Sequence, residues 1–576
     1  SKTHQVTIFD LPEKAIFHQY YRGRLISLGV YICFVPSRSS KACLFVSQPC
    51  HTKGFETMKL SSILKDYPVL SVSDRPIAEA FLSGQMEQQI HSIDYDSRRV
   101  SAGSLFFCLP GAHADGHRFA PLAYAAGCRA FVCSRRLVSL PEDAVQILVE
   151  NPRHALACLS ASFYGRPAEK LTVIGITGTK GKTTTAFFLR EILSGCGFPC
   201  AYVGSNGVLM EKDWFDTVNT TPESSELHRY FRMMVDRGIT HVVMEVSSQA
   251  LATHRVEGIR FDTCLFTNLA DDHIGEVEHP SFAAYRAAKA RLFRDFAPEH
   301  IVCNLDDAHW RAVVGNPGEN TDFIGFSLHQ PLSDHCRFTA AETHPFRGKA
   351  ALGIDFTCVS QGGNTAVRLC APGELSVYNG LGAIAAASIY GVPAADAAQI
   401  LQTLSVPGRF EVVDALPGVT FVLDYAHNGF SLENALQALR TYHPHRLICL
   451  LGSVGCRTKK RRKELGEAAG KYADFAIITA DNPDTEDPNE INREILSYYD
   501  QTKPYLLFED RKDAIRAAVH MAETGDIILC AGKGHETYQL INGEKLPFSE
   551  REIILRETAL RRDTQAAPVE NHDRIL

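Results

Sequence analysis

The sequence predicts an α/β protein of several domains, and three observations carry that expectation. Its 576 residues are 45% hydrophobic and 22% charged. Those are globular proportions, and at roughly 100–200 residues per domain they call for about three or four units. Apolar runs that end in polar residues recur from Leu171 onward: LTVIGIT, HVVMEVS, DTCLFTNL and HIVCNLD. Such runs are typical of parallel strands buried on both faces. A second series (TFVLDY, RLICLLG, FAIITADN, PYLLFED, DIILCAGKG) follows VPGRF, with helical stretches such as SLENALQAL and RKDAIRAAVHMA between its members. This alternation predicts doubly wound sheets whose ligand crevices lie at the carboxyl ends of the strands.

Taken in order, residues 1–57 lack clear periodicity. Within them LISLGVYICFVP, Leu25 to Pro36, follows Arg22 and Arg24 like a signal-peptide core, but no small-residue cleavage site comes after it. The segment is expected to be a leader or a misassigned upstream stretch, because Met58 opens a fresh amphipathic pattern, MKLSSILKDY. Residues 58–167 form the first expected domain, with SLFFCL as a strand and HRFAPLAYAAGCRAFV as a helix running into another strand. The turn Gly165-Arg166-Pro167 closes it. A central domain over 168–405, a last domain over 406–564 and a polar tail over 565–576 follow.

Composition excludes several classes. A net charge of −7 argues against a general nucleic-acid binder, which carries a basic surplus. No apolar run reaches the ~18–20 residues that cross a bilayer, so no membrane insertion is expected. The 17 cysteines are scattered without metal spacing and read as free thiols of a reducing cytoplasm.

The strongest local signal is Gly178-Thr179-Lys180-Gly181-Lys182-Thr183-Thr184, set between the strand LTVIGIT and a helix from about Thr183 to Leu193. A glycine-rich turn there lets backbone N–H groups close around phosphate oxygens. Lys182 adds a full positive charge, and Thr183 can ligate Mg²⁺. The loop is a shortened variant, since Ile176 stands where the strict pattern has glycine. Glu245 and the pair Asp272-His273 end neighbouring strands. A carboxylate so placed commonly holds the metal, while His273 is either a second ligand or a satisfied polar residue. Lys289, in YRAAKARLF, reads on its own as a solvated helix lysine, and Asn304 could reach a base or ribose. In the last domain Asp424 to His427, Arg457, Asp481 to Asp484 and Gly532 to Glu536 close successive strands and suggest one shared ligand site. The run KKRRK (Lys459 to Lys463) reads as a solvated face.

Together with DSRRVSAGSLFFCLPGAHADGH, NTTPE, MEVSSQAL, HRVEGIRFD, FTNLADDH, DYAH, DNPDTEDP and GKGHETYQ, in that order, these residues closely resemble the Mur ligase family. The likeness is to its members that add the third amino acid to UDP-N-acetylmuramoyl-L-alanyl-D-glutamate, and it runs from Met58 to about Arg562. The resemblance implies three domains: a UDP-binding N-terminal α/β domain, a central P-loop ATPase-like domain and a C-terminal Rossmann-like domain. By the same resemblance Ser97 and Ala112, His113 and Ala114 contact the uridine nucleotide. Thr220, Thr221, Ser247, Thr253 and Arg255 hold the muramoyl dipeptide. Gly178 to Thr184 and Asn304 bind ATP, with Lys182, Glu245, His273 and Lys289 catalytic. Lys289 matches a lysine that is carbamylated (N6-carboxylysine) in this family, and Thr183, Glu245, His273 and Lys289 would surround Mg²⁺. Arg457, Asp481, Asn482, Pro483, Asp484, Gly532 and Glu536 match the pocket for the incoming amino acid. The implied partners are the UDP-dipeptide and a free amino acid, and a monomer is expected.

The chain departs from the family pattern in places. Asp484 stands where an arginine usually grips the distal carboxylate of meso-diaminopimelate, so L-lysine or a similar diamino acid is the favoured acceptor and meso-diaminopimelate the alternative. SVGCRT and HNGFSLE replace the usual turns, Thr253 replaces a glutamine, and the stretch after His273 is longer and lacks the usual second histidine. A catalytically weak paralogue that binds the UDP-precursor, and an ATPase or kinase built on the same loop, are the rival readings.

Overall fold

The computed structural model describes residues 57–76, 79, 84–111, 114–271, 274–275, 278–348, 351–456 and 459–566. The Leu25–Pro36 run, Ala112, His113, His273 and Arg457 lie outside the described residues. From Lys59 onward the chain builds three successive α/β layers around three main sheets.

The first sheet has five strands in the order Ser71–Val72, Val145–Leu148, Ala130–Cys133, Ser104–Phe107 and Ser92–Asp94. All its pairs are parallel except the first. The central sheet has eleven strands. Its parallel heart is Cys200–Gly204, His241–Glu245, Thr172–Thr177, Thr263–Phe266, His300–Asn304 and Asp322–Ser327, in that spatial order. Buried layers cover both faces, one centred on Val173, Phe231 and Phe266, the other on Ile174, Phe188 and Leu381. That double burial explains the continuous apolar runs. The third sheet orders Glu411–Val413, Thr420–Asp424, Ile527–Ala531, Leu447–Leu451, Phe475–Ile478 and Tyr505–Leu507, parallel after the first pair.

One part of the central sheet escaped the sequence reading. Cys336–Arg347, Leu352–Ser360 and Gly363–Leu369 form an antiparallel meander on its edge. Much of Cys336–Arg347 is solvent-exposed, so it has no continuous apolar run to betray it. The phosphate-loop helix extends over Lys182–Gly195 and packs against the helix Glu374–Ile389. Small residues in the latter let it lie close on the sheet: a Cβ on Gly382 would meet Phe326, on the strand Asp322–Ser327, at 3.0 Å. The last helix runs Glu550–Ala566, into the segment expected to be tail.

Among the described residues no helix is long and apolar enough to cross a membrane, and the described cysteines are free.

Candidate active site

The phosphate loop is held by its neighbour strand. Thr267 Oγ1 donates to the Lys180 carbonyl at 2.7 Å. Asn268 accepts from the Lys180 amide at 2.9 Å and donates back to its carbonyl at 3.0 Å. The two glycines are steric requirements. Both have positive φ, 152° at Gly178 and 83° at Gly181, and a Cβ would meet Thr267 Oγ1 at 1.9 Å or Asn379 Oδ1 at 2.2 Å. Lys182 Nζ curls over the loop, donating to the Gly178 and Thr179 carbonyls at 2.9 and 3.1 Å.

Beside the loop lies Glu245, fully buried at the end of its strand. Its carboxylate accepts from Tyr202 OH and the Ser205 amide, both at 2.8 Å, and from Thr183 Oγ1 at 3.0 Å. These donors are neutral, and a buried carboxylate normally finds a cation or a metal. Glu245 and the Thr183 hydroxyl therefore offer the hard oxygen set that suits Mg²⁺. Burial, then the charge of Glu245 and the hydrogen bond to it, raise the Tyr202 phenol well above its usual range.

Lys289 corrects the solvated-lysine reading of its helix. It is 1% exposed, donates to the Gly178 carbonyl at 2.7 Å and lies 4.6 Å from the Tyr285 ring. The stretch after His273 does supply a histidine: His279 is buried with Nε2 3.0 Å from Ser248 Oγ. Asn304 is turned inward, donating to the Thr267 carbonyl and accepting from the Asp306 amide, so it braces the loop's supporting strand.

Within the central domain Arg255 bonds Glu223 at 3.1 Å and the Thr221 carbonyl at 3.2 Å, and from the first domain Arg99 reaches Glu226 at 3.3 Å. Thr221 Oγ1 donates to the Glu245 carbonyl and accepts from the Ser247 amide. Ser247 in turn caps its short helix at Ala250, Thr220 Oγ1 pairs with Ser205 Oγ at 3.1 Å, and Thr253 Oγ1 bonds the Gln249 carbonyl. Ser97 follows the strand Ser92–Asp94, and the Ala114 carbonyl closes a turn with the Gly111 amide.

The C-terminal cluster centres on Lys533, which the sequence reading included only as part of the run Gly532 to Glu536. Lys533 is fully buried and donates to Glu536 Oε2 at 2.7 Å and Asn482 Oδ1 at 2.8 Å, with Asp481 at 3.7 Å. Asn482 Nδ2 also donates to Glu536. Gly532 keeps the floor open, since its Cβ would lie 2.9 Å from Asp481 Oδ2. Below them Arg511 is fully buried with Glu550 and donates to the Ala480 and Ala531 carbonyls. The turn before Arg457 sits on this loop: Gly455 donates to the Asn482 carbonyl, and its Cβ would meet the Pro483 carbonyl at 1.9 Å. Asp484 takes a left-handed φ of 54° and its Oδ1 accepts from the Gly543 amide. The KKRRK run is split: Arg462 is buried between Glu486 and Glu494, while its lysines pair with glutamates at the surface. The signal for Lys533 was present, a lysine between two glycines at a strand end, but burial is not visible in sequence.

Fold and site thus define a nucleotide-dependent α/β enzyme whose phosphate loop faces a second, Rossmann-like ligand domain. Three family models match: the Mur ligase family catalytic domain over residues 89–164, the Mur ligase middle domain over 176–387 and the Mur ligase glutamate ligase domain over 408–534. The UDP-N-acetylmuramoyl-L-alanyl-D-glutamate--2,6-diaminopimelate ligase of Clostridium botulinum is 36% identical over 473 residues, 81% of this chain and 95% of that one. Its namesake in Clostridium perfringens is 37% identical over 506 residues, 86% of this chain and 99% of that one. A solved structure of a ligase of that name is 27% identical with a TM-score of 0.60, covering 88% of this chain and 100% of its own. The chain belongs to the Mur ligase family, and it is an ADP-forming ligase that joins an acid to an amino acid.

Proposed function

We propose that this ligase adds meso-diaminopimelate to the D-glutamate of UDP-N-acetylmuramoyl-L-alanyl-D-glutamate, at the expense of ATP, in peptidoglycan precursor synthesis. The observation that carries the reading is similarity sustained over 81–86% of the chain to ligases named for that acceptor. The lysine-like acceptor rests on Asp484 alone, a carboxylate that also accepts a hydrogen bond from Gly543 in a hairpin turn.

In this reading the γ-phosphoryl of ATP passes to the D-glutamyl carboxylate, ADP leaves, and an acyl phosphate results. The amine of the acceptor then attacks the acyl carbon, and inorganic phosphate departs with formation of the amide. Activation is needed because a carboxylate is a poor electrophile. Gly178 to Thr184 cradle the phosphates, and Lys182 neutralises charge on them. Thr183, Glu245, His273 and carbamylated Lys289 would hold Mg²⁺, which would supply further charge neutralisation. Ser97 and Ala112 to Ala114 hold the uridine nucleotide, and Asn304 braces the nucleotide pocket. Thr220, Thr221, Ser247, Thr253 and Arg255 place the dipeptide. Arg457, Asp481 to Asp484, Gly532 and Glu536 orient the acceptor, which converts a bimolecular attack into a positioned one.

The test is an acceptor panel of meso-diaminopimelate, lysine and ornithine, assayed with ATP, Mg²⁺ and the UDP-dipeptide for phosphate release and product mass. Turnover led by meso-diaminopimelate is expected. Lysine as the sole productive acceptor would reverse the choice, and precursor binding without ADP formation by any of them would favour the paralogue reading.

A further inference from the structure

The loop that carries Glu536 touches the nucleotide side of the molecule through the preceding residue. His535 Nε2 donates to the Ser205 carbonyl at 3.1 Å, and the Ser205 amide donates to Glu245 at 2.8 Å. The imidazole packs on Tyr425, ring centroids 5.1 Å apart, and Tyr425 carries Arg409 on its ring at 4.7 Å. Arg409 in turn reaches Thr183 Oγ1 at 3.4 Å. The connecting segment leaves no slack: a Cβ on Gly408 would lie 2.1 Å from the His535 amide, and Asn206 Nδ2 grips the Pro407 carbonyl at 3.1 Å. At the other end Lys533 and Asn482 both bond Glu536, so that carboxylate cannot shift without moving the loop.

We propose that His535 is a positioning residue, whose single hydrogen bond to Ser205 sets the acceptor pocket against the phosphate-loop pocket and couples binding at the two. The inference rests on the proposed assignment of Glu536 to the acceptor site. It assigns His535 no contact with substrate. The bond requires a ring N–H facing Ser205, and burial among Tyr425, Arg409 and Gly408 leaves room for little else.

The full-length protein tests this with three variants. His535→Phe keeps a ring on Tyr425 but lacks the donor, His535→Ala removes both, and His535→Gln restores an N–H at the position of Nε2. Calorimetry measures meso-diaminopimelate affinity with and without the UDP-dipeptide and a non-hydrolysable ATP analogue, and kinetics separate KM from kcat. Loss of one neutral hydrogen bond is expected to weaken the coupling, and raise acceptor KM, about 5- to 10-fold in the Phe and Ala variants. Nucleotide affinity measured without the acceptor should stay within about twofold, and Gln should recover most of the loss. Equal coupling and acceptor KM in wild type and in whichever of Phe or Ala folds would overturn the proposal. A wild-type protein that lengthens no precursor is a different result, which removes the functional reading itself.

Discussion

The phosphate-loop pocket and the pocket around Lys533 are built on one plan and charged differently. Each lies at the carboxyl ends of parallel strands, and each buries carboxylate. In the first, Glu245 accepts from a phenol, a hydroxyl and an amide. In the second, Asp481 and Glu536 close on a buried ammonium, Lys533. A carboxylate surrounded by neutral donors is arranged to take its counter-charge from a ligand. One that already has a lysine is arranged to recognise by hydrogen-bond geometry. In the proposed reading the same residue type serves metal-nucleotide handling in one domain and shape-setting in the other.

The sharpest way to break this comparison is to remove each pocket's cation or anion. Lys533→Met strands the buried Asp481 and the partly buried Glu536 and is expected to cost about 3–5 kcal/mol of stability, read from urea unfolding of the purified protein. A change below about 1 kcal/mol would mean that water or another cation already serves Asp481 and Glu536. Glu245→Gln should do the opposite. It removes an uncompensated buried charge and leaves stability equal or higher, while turnover falls about 100- to 1000-fold, the scale for losing one preorganised electrostatic group. A thermal-shift series with Mg²⁺ and ADP checks the pair: wild type gains stability from the added metal-nucleotide, and the Gln variant gains much less.

How far these pockets were legible in sequence follows from the same physics. Strand ends are readable because doubly buried parallel strands give continuous apolar runs, and the polar residue that ends each run marks the crevice. That found Glu245, Asp481 and Glu536. The loop glycines were readable because only glycine fits their close approaches. What a strand end does not reveal is which groups face one another across the sheet or between domains. Lys289 on its helix pattern alone looked like a surface residue, yet its ammonium lies on the Gly178 carbonyl. Lys533 and Arg511 were hidden because long cations are usually solvated, and only the third dimension shows their carboxylate partners. The edge meander Cys336–Leu369 was missed for the opposite reason: with one face to solvent it lacks the apolar run.

The smallest of these effects concerns acid, and it tests whether the seam between the pockets is kept dry. Burial, helped by Arg409 and Lys533, pushes the His535 imidazole down to about 3, and burial alone takes His228, under the central sheet, down to about 4. Both lie below the unfolded value near 6.5, so the unfolded chain takes up these protons first. Their stabilising contribution is complete above about pH 6.5 and is lost as pH falls toward the folded values. One unit below that point each histidine should cost about 1.4 kcal/mol. Urea midpoints at pH 7.5 and 5.5 measure the loss, and His228→Leu, which has no proton to take up, should shed one histidine's share of it. An unchanged slope in His228→Leu would show that water reaches that ring. An unchanged slope in His535→Phe would show the same at the seam, and there it would count against a dry hydrogen bond from His535 to Ser205.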